Sequence, residues 1–208
     1  MFQWLIDLDK TLFLFLNGIN SPEWDSVMVW ISAKYSWIPL YAILVFTIIY
    51  RERPYNFIYT IVFVIIVIFL CDQSSNLFKA LTERLRPCND PAIRHLVHTV
   101  NGCRGSFSFF SAHASNTFGL AAFLACWFKC NKWGVFLFSW AAIKSYSRIY
   151  LGVHFPLDII CGAAAGIVIG LTIYGLYVRV MVYLERKIKD RKAAKRRLEK
   201  AKNNKLNK

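Results

Sequence analysis

The sequence predicts an all-α protein, a polytopic membrane bundle of five transmembrane helices, or six if the N-terminal helix also spans. Hydrophobic residues make up 56% of the 208 residues, and aromatic residues make up 16%. Charged residues account for only 18%, below the roughly 25% of a soluble domain. Five apolar stretches approach the roughly 20 residues that a helix needs to cross hydrocarbon. They lie within 25–50 and at 57–78, 111–128, 133–150 and 156–183.

The N-terminal segment differs from the spans because apolar and acidic positions are interleaved in it. Trp4 and Leu8 recur at helical spacing, while Asp7 and Asp9 lie beside them. This pattern is typical of a short amphipathic helix that lies on a membrane. The segment lacks a positively charged start and a small-residue cleavage site, so we expect the first true span to direct insertion. Residues 1–22 are therefore predicted to form an interfacial helix.

Most of the positive charge lies at the C-terminus. Residues 185–208 contain twelve Lys or Arg and three Asp or Glu, which gives +9 of the formal +14. A basic segment directly after an apolar span is typical of the cytoplasmic side and can contact anionic lipid. The pI of 9.7 is therefore weak evidence for nucleic-acid binding, and no nucleic-acid partner is predicted. We predict a membrane-embedded domain over 23–184 and a basic cytoplasmic tail over 185–208.

Five spans would place the two ends of the chain on opposite sides of the membrane. The side of the basic tail then also holds four charges from the turns after the first and third spans: Arg51, Arg53, Lys129 and Lys132. The positive-inside rule assigns this side to the cytoplasm. The 79–108 loop and the 147–156 turn then face outside. That loop is itself basic, against the rule, and an anionic substrate would explain its charge.

Three polar clusters lie at span ends on the predicted outer side. The first contains Lys79 and Arg86, the second contains Ser111, Ala112 and His113, and the third contains Ser147, Arg148, His154 and Asp158. Arginine forks match phosphate oxygens, and lysine adds a point charge. The start of the third span offers free backbone N–H groups and a positive dipole end.

The remaining polar residues of these clusters can make and break bonds. His113 and His154 are candidates for nucleophilic and acid–base roles. Asp158 follows His154 by four residues, with Pro156 placed for the first turn of a helix. A carboxylate at that position can hold the imidazole tautomer, as in a catalytic triad.

The three clusters together resemble the signature of the type 2 phosphatidic acid phosphatase family, which vanadium haloperoxidases share. The signature appears as Lys79-x6-Arg86-Pro87, then Ser111-Ala112-His113, then Ser147-Arg148-x5-His154-x3-Asp158. The resemblance covers roughly residues 57–180. One departure is Phe110-Ser111-Ala112-His113, where the family typically has Pro-Ser-Gly-His. Because alanine keeps the backbone N–H, anion binding should survive, while Phe110 changes the approach to the helix.

The resemblance implies a role for each residue of the signature. His154 would attack phosphorus and form a phosphohistidine, and Asp158 would orient His154 and stabilise its positive charge. His113 would protonate the leaving oxygen and then activate water. The equatorial phosphate oxygens would be bound by the remaining members: Lys79, Arg86, Ser111, Ala112 and Arg148. No metal and no cofactor are expected, since the cations would stabilise the developing charge.

Other polar residues leave alternatives open. Arg84 could touch a headgroup or belong to a solvated loop face, and Lys144 could act behind the site or snorkel to the membrane surface. His95 and His98 are predicted to be solvated loop residues. The glycine ridge at 162, 166 and 170 could pack helices internally or mediate dimerisation. Cys88 and Cys103, both in the outer loop, are predicted to form a disulfide if that side is oxidising.

The leading hypothesis is a metal-independent lipid phosphatase in a cell membrane. It would be a bacterial inner-membrane protein with its site facing the periplasm, and its partners would be the membrane and a phosphorylated lipid. Candidate substrates are undecaprenyl diphosphate, phosphatidylglycerol phosphate, phosphatidic acid and lipid A phosphates. The alternative is a non-catalytic transporter or binder of phosphorylated lipids, which needs the cations but not the pair of histidines. The sequence predicts no particular oligomeric state.

Overall fold

The structure is a computed structural model that describes residues 3–52, 56–103 and 105–206. These residues form helices and connecting loops, with no β-strand among them. Seven α-helices follow one another along the described chain: α1 Gln3–Gly18, α2 Pro22–Ser32, α3 Ile38–Arg51, α4 Asn56–Thr82, α5 Ala112–Phe128, α6 Asn131–Tyr150 and α7 Pro156–Leu206. The prediction of an all-α protein is confirmed. Arg53 and Lys208, two of the charges predicted to be cytoplasmic, lie outside the described residues.

Two of the described helices are long and apolar enough to cross a membrane, α4 and α7. The first predicted span is a bent pair instead, because α2 and the segment Tyr35–Arg51 meet at 71°. Counting that pair as one span gives three. α5 packs against α4, α6 and α7, and most of its side chains are buried by protein. A helix shielded in this way can be short and carry polar residues, so the count of five spans stays a prediction.

The glycines of α7 let it approach α5 closely. A Cβ atom on Gly162 would lie 2.7 Å from the carbonyl oxygen of Ser111, and one on Gly166 would overlap the carbonyl oxygen of Ser115. Gly119 of α5 has the same constraint, because its Cβ would lie 2.8 Å from Sγ of Cys71 on α4. The predicted ridge therefore packs inside the bundle, as small residues do between membrane helices.

Gly166→Ala is expected to destabilise the protein, because the added methyl group would collide with backbone that cannot move aside. Overpacking of this kind costs about 1–3 kcal/mol of the free energy of unfolding. Gly175→Ala is the matched control on the same helix, since a Cβ there meets no atom within 4 Å. Thermal unfolding in detergent should show a lower midpoint for Gly166→Ala only. Equal midpoints for the two variants would contradict the close packing of α5 and α7.

One face of α1 is buried against the end of the bundle that carries the polar clusters. Asp9, Phe13 and Asn17 are its buried residues, spaced four apart. The Asn17 side chain donates to the carbonyl oxygens of Ile149 (3.0 Å) and Tyr150 (2.8 Å), where α6 ends. The exposed residues of α1 are mostly apolar and include Trp4, Leu8 and Leu12. The interfacial position of this helix is consistent with that pattern and remains a prediction.

The loop between α4 and α5 is tied to the rest of the protein. Cys88 and Cys103 are joined by a disulfide in the structure. His98 is not a solvated residue as predicted, because its Nε2 lies 2.8 Å from the Asp25 carboxylate and its backbone N–H donates to Asn17. His98 belongs to no motif, so the sequence did not indicate that Asp25 of α2 is its partner.

The disulfide predicts a specific result in thiol counting. Under denaturing, non-reducing conditions a maleimide should label four cysteines: Cys71, Cys126, Cys130 and Cys161. After reduction all six should react. Cys88→Ser is expected to lower the free energy of unfolding by about 3 kcal/mol, as for a closed loop of roughly 15 residues. Labelling of six cysteines before reduction would show that the bond does not form in the cell.

Candidate active site

A cavity of about 590 Å³ opens where α3, α4, α5 and α6 meet. One end is polar, and the other is lined by apolar side chains that include Leu44, Ile65 and Leu124. The polar end brings together six residues of the predicted signature: Lys79, Arg86, Ala112, His113, Arg148 and His154. Three further members of the clusters, Ser111, Ser147 and Asp158, are fully buried and do not line the cavity. The structure thus brings together residues from the three clusters, which are far apart along the chain.

The start of α5 is fixed by Ser111. Its Oγ accepts a hydrogen bond from the backbone N–H of Ala114 (3.4 Å), which makes Ser111 the N-cap of the helix. Its own backbone N–H donates to the carbonyl oxygen of Asp158 (3.1 Å). This bond joins the start of α5 to the first turn of α7. The free N–H groups of the first turn of α5 therefore lie beside the turn that carries His154.

Phe110 stands where the family signature has proline and is packed against α4. Its ring is 3% exposed and lies 5.2 Å from the Phe78 ring of α4. Its carbonyl oxygen accepts a hydrogen bond from the Ser75 hydroxyl (2.8 Å). Contacts with α4 thus hold the segment that leads into α5.

His154 lies in the turn between α6 and α7 and is 2% exposed. Its Nδ1 is 3.6 Å from Oδ2 of Asp158, longer than a hydrogen bond, although contacts in catalytic sites often tighten with substrate. Burial lowers the pKa of His154 to about 4, against the opposing effect of Asp158. The imidazole is therefore neutral at neutral pH, the form in which nitrogen has a lone pair for nucleophilic attack.

The three signature cations are ready to receive an anion. Within the described part of the chain, no carboxylate lies within salt-bridge distance of Lys79, Arg86 or Arg148. Arg86 is held by its Nε, which donates to the carbonyl oxygen of Phe107 (3.1 Å). Arg148 donates to the Ser32 hydroxyl from Nη1. Each guanidinium is thus oriented by a neutral acceptor, and its positive charge remains available to a phosphate.

Two further cations near the site were not assigned by the sequence. Lys144 is 3% exposed, and its ammonium lies 5.7 Å from the Trp140 ring in the wall of the same cavity, so it does not snorkel to the surface. Arg84 lies behind the cavity and donates to Asp158 (2.9 Å), which excludes a solvated loop face. The sequence offers a signal for Lys144, because it is one helical turn before Arg148 and so lies on the same face of α6. It offers none for Arg84, whose pairing with Asp158 depends on the tertiary structure.

Comparison with known proteins agrees with this geometry. The PAP2 superfamily profile matches residues 55–181. A lipid A 4'-phosphatase of Bacteroides thetaiotaomicron is 41% identical over 169 residues, which cover 80% of this chain and 75% of the relative. A lipid A 4'-phosphatase of Porphyromonas gingivalis is 34% identical over 178 residues, 85% of this chain and 75% of the relative.

A solved structure has a similar fold. The crystal structure of Aquifex aeolicus LpxE superimposes with a TM-score of 0.60 at 26% identity, over 78% of this chain and 92% of that one. The chain belongs to the PAP2 superfamily. It is an integral membrane enzyme, a lipid phosphatase of the PAP2 type.

Proposed function

We propose that this enzyme hydrolyses a phosphate monoester of a membrane lipid in two steps through His154. In the first, Nε2 of His154 attacks phosphorus, the bond from phosphorus to the lipid oxygen breaks, and His113 gives that oxygen a proton. In the second, His113 takes a proton from water, the water oxygen attacks phosphorus, and the P–N bond breaks. Inorganic phosphate leaves, and His154 is neutral again.

One observation carries this proposal: a buried His154 lines the same cavity as three cations, none of which has a carboxylate partner among the described residues. Charge that develops on the equatorial phosphate oxygens would be stabilised by Lys79, Arg86 and Arg148, and by the N–H groups that begin α5. Asp158 lies on the far side of His154, where it offsets the positive charge that the ring gains on bonding to phosphorus. A binder of phosphorylated lipids would need the cations alone.

We further propose a lipid A 4'-phosphate as the first substrate to test. Two relatives that align over most of this chain carry the name lipid A 4'-phosphatase. The charge of the cavity wall fits a large anionic headgroup. Lys34 and Lys144 join the three signature cations there, and among the described lining residues only Asp72 is acidic. The apolar end of the cavity has room for part of an acyl chain.

The membrane arrangement follows from the same proposal. Five spans would place the cavity mouth on the outer face of a bacterial inner membrane, with the basic C-terminal part of α7 in the cytoplasm. The side chains of residues 185–197 are all exposed, as expected of a helix that leaves the bilayer. Cysteine-accessibility labelling of single cysteines at Lys10 and at Arg191 in intact cells would test it. The two sites should label from opposite sides of the membrane.

The experiment that tests the function is phosphate release by the purified protein in detergent. The panel contains lipid A, undecaprenyl diphosphate, phosphatidylglycerol phosphate and phosphatidic acid, each assayed with EDTA and in parallel with His154→Ala. We expect release from lipid A that resists EDTA, is inhibited by vanadate and is lost in the variant. Release from another lipid of the panel would reassign the substrate. Release that His154→Ala retains, or that only added Mg²⁺ supports, would overturn the mechanism.

The rate should be bell-shaped in pH, with a low acid limb. Attack requires neutral His154, so kcat/KM should fall only as pH drops towards about 4, the pKa that burial gives this ring. The basic limb should appear in kcat, which reports the enzyme with phosphate bound, and should come from His113, which must then carry the proton. An acid limb near the ordinary histidine value of 6.5 would contradict a buried nucleophile.

The same shift affects stability, so unfolding must be measured alongside activity. Between 6.5 and about 4, the unfolded chain protonates His154 while the folded chain does not. The free energy of unfolding therefore decreases as pH falls through this window. Thermal midpoints at each pH, together with recovery of activity on return to neutral pH, separate titration of the site from unfolding.

A further inference from the structure

Arg84 connects the site to the N-terminal helix. Its Nη1 donates to Oδ1 of Asp158 (2.9 Å), and its Nη2 donates to Oδ2 of Asp9 in α1 (2.6 Å). The guanidinium carbon also lies 4.1 Å from the centre of the Phe155 ring, close enough for a cation–π contact. Both carboxylates are almost completely buried. One planar fork therefore holds two buried acids from segments 149 residues apart.

The backbone of Arg84 is fixed as firmly as its side chain. Its carbonyl oxygen accepts hydrogen bonds from the N–H (2.8 Å) and the hydroxyl (3.2 Å) of Ser108. Ser108 is itself fully buried. Hydrogen bonds thus hold both the backbone and the guanidinium of Arg84, and its planar fork loses little entropy for each bond it makes to Asp158.

Asp9 also binds the helix that carries Asp158. Its Oδ1 accepts a hydrogen bond from the backbone N–H of Leu157 (2.8 Å), in the first turn of α7. The N–H of Phe155 donates to the other oxygen of Asp158 (2.9 Å). Phe13, one turn after Asp9, packs its ring 5.3 Å from that of Phe155. The turn from His154 to Asp158 is therefore held from behind by α1.

The charges of the cluster formed by Asp9, Arg84 and Asp158 can stabilise the positive charge that His154 gains when it bonds to phosphorus. With both carboxylates ionised, Asp9, Arg84 and Asp158 together carry one net negative charge. His154 is neutral before attack and cationic while bonded to phosphorus, so the cluster and the imidazole become neutral together. An acid buried without a cation would favour its protonated form and lose this effect.

We propose that Arg84 and Asp9 are positioning residues of the phosphatase site, which makes α1 a working part of it. Arg84 holds the Asp158 carboxylate in place beside His154, while Asp9 holds both Arg84 and the start of α7. Neither residue touches the substrate, so their effect is on the chemical step. This inference rests on the proposed role of His154 and adds two residues that the three-part signature does not specify.

The test compares kcat and KM on the best lipid of the panel for Asp9→Asn and for Asp7→Asn. Asp7 lies on the exposed face of the same helix, so its variant is the matched control. Asp9→Asn keeps the shape and an acceptor for Leu157 but loses the charge that binds Arg84. We expect about a 10-fold lower kcat, the smaller end of the range for such supporting residues, with KM unchanged. Asp7→Asn should behave as the parent.

A double-mutant cycle of Arg84 and Asp158 distinguishes a role of Arg84 in positioning Asp158 from direct contact with the substrate. Arg84→Ala is expected to lower kcat about 10- to 100-fold in the parent and to have little further effect in an Asp158→Asn background. Arg84→Lys should recover part of the loss, because it retains the charge but not the fork. If Arg84→Ala does not fold, as judged by thermal unfolding, Arg84→Lys and Asp9→Asn decide the question.

Two results would overturn the inference. Equal kcat for Asp9→Asn and Asp7→Asn would remove α1 from the site. A loss for Arg84→Ala that appears in KM and persists in Asp158→Asn would place Arg84 on the substrate. Either result, with His154→Ala inactive, leaves the proposed function intact. If His154→Ala remains active, the proposed function fails, and this inference fails with it.

Discussion

His154→Ala is expected to lower kcat on the order of 10⁴-fold or more, the scale seen when a member of a catalytic triad is lost. The ring is the nucleophile of the proposed mechanism, and no other imidazole or thiol of the described residues lies beside both Asp158 and the three cations. Water could still attack a phosphate bound by those cations, so a small residual rate is expected. KM should change little, because the phosphate-binding side chains remain.

The matched control for this variant is His95→Ala. His95 is an exposed residue of the loop between α4 and α5, and its replacement should leave kcat at the level of the parent. Both variants should unfold at similar temperatures. If the two lost activity equally, or if His154→Ala lost affinity for lipid instead of turnover, then His154 would not be the nucleophile.

His113→Ala should have an effect that depends on the leaving group, and this is the second large prediction. With a lipid substrate, the departing alkoxide needs a proton, so loss of the general acid is expected to cost about 10²- to 10⁴-fold in kcat. With an aryl phosphate, the leaving group is stable without a proton. The first step should then proceed, while hydrolysis of the phosphohistidine should be slow because His113 no longer activates water.

The expected observation is a burst. Purified His113→Ala mixed with p-nitrophenyl phosphate should release about one equivalent of nitrophenol rapidly and then turn over slowly, as a covalent intermediate accumulates. The parent should show no such accumulation if its second step is fast. Equal losses on the lipid and the aryl phosphate would assign His113 to phosphate binding and not to proton transfer.

The residues proposed to contact the substrate could be predicted because chemistry constrains their spacing along the chain. The pairs Lys79 and Arg86, and His154 and Asp158, are each close in sequence, and each follows or begins an apolar stretch. The residues that support them could not be predicted in the same way. Asp9 looked like one acidic position of an amphipathic helix, and its partner Arg84 is 75 residues away. A pairing at that distance depends on the packed fold.

The fold shows the same division. Apolar content predicted α4 and α7 well, since both are long and uninterrupted. It did not predict the 71° bend between α2 and the segment that follows it, because hydropathy carries no information about the angle between consecutive helices. Ser32 marks this bend, where its hydroxyl accepts a hydrogen bond from Arg148. This contact between Ser32 and Arg148 depends on the folded structure. No repeating pattern in the sequence indicates it.

The measurement that tests the central claim most directly is detection of phosphate on His154. The enzyme would be mixed with substrate, quenched in alkali during turnover and mapped by mass spectrometry, with His154→Ala and unmixed enzyme alongside. The account predicts one phosphohistidine, at residue 154, that forms and decays at rates compatible with kcat and increases in His113→Ala. Rapid turnover with no phosphorylated His154, or with phosphate on another residue, would contradict it.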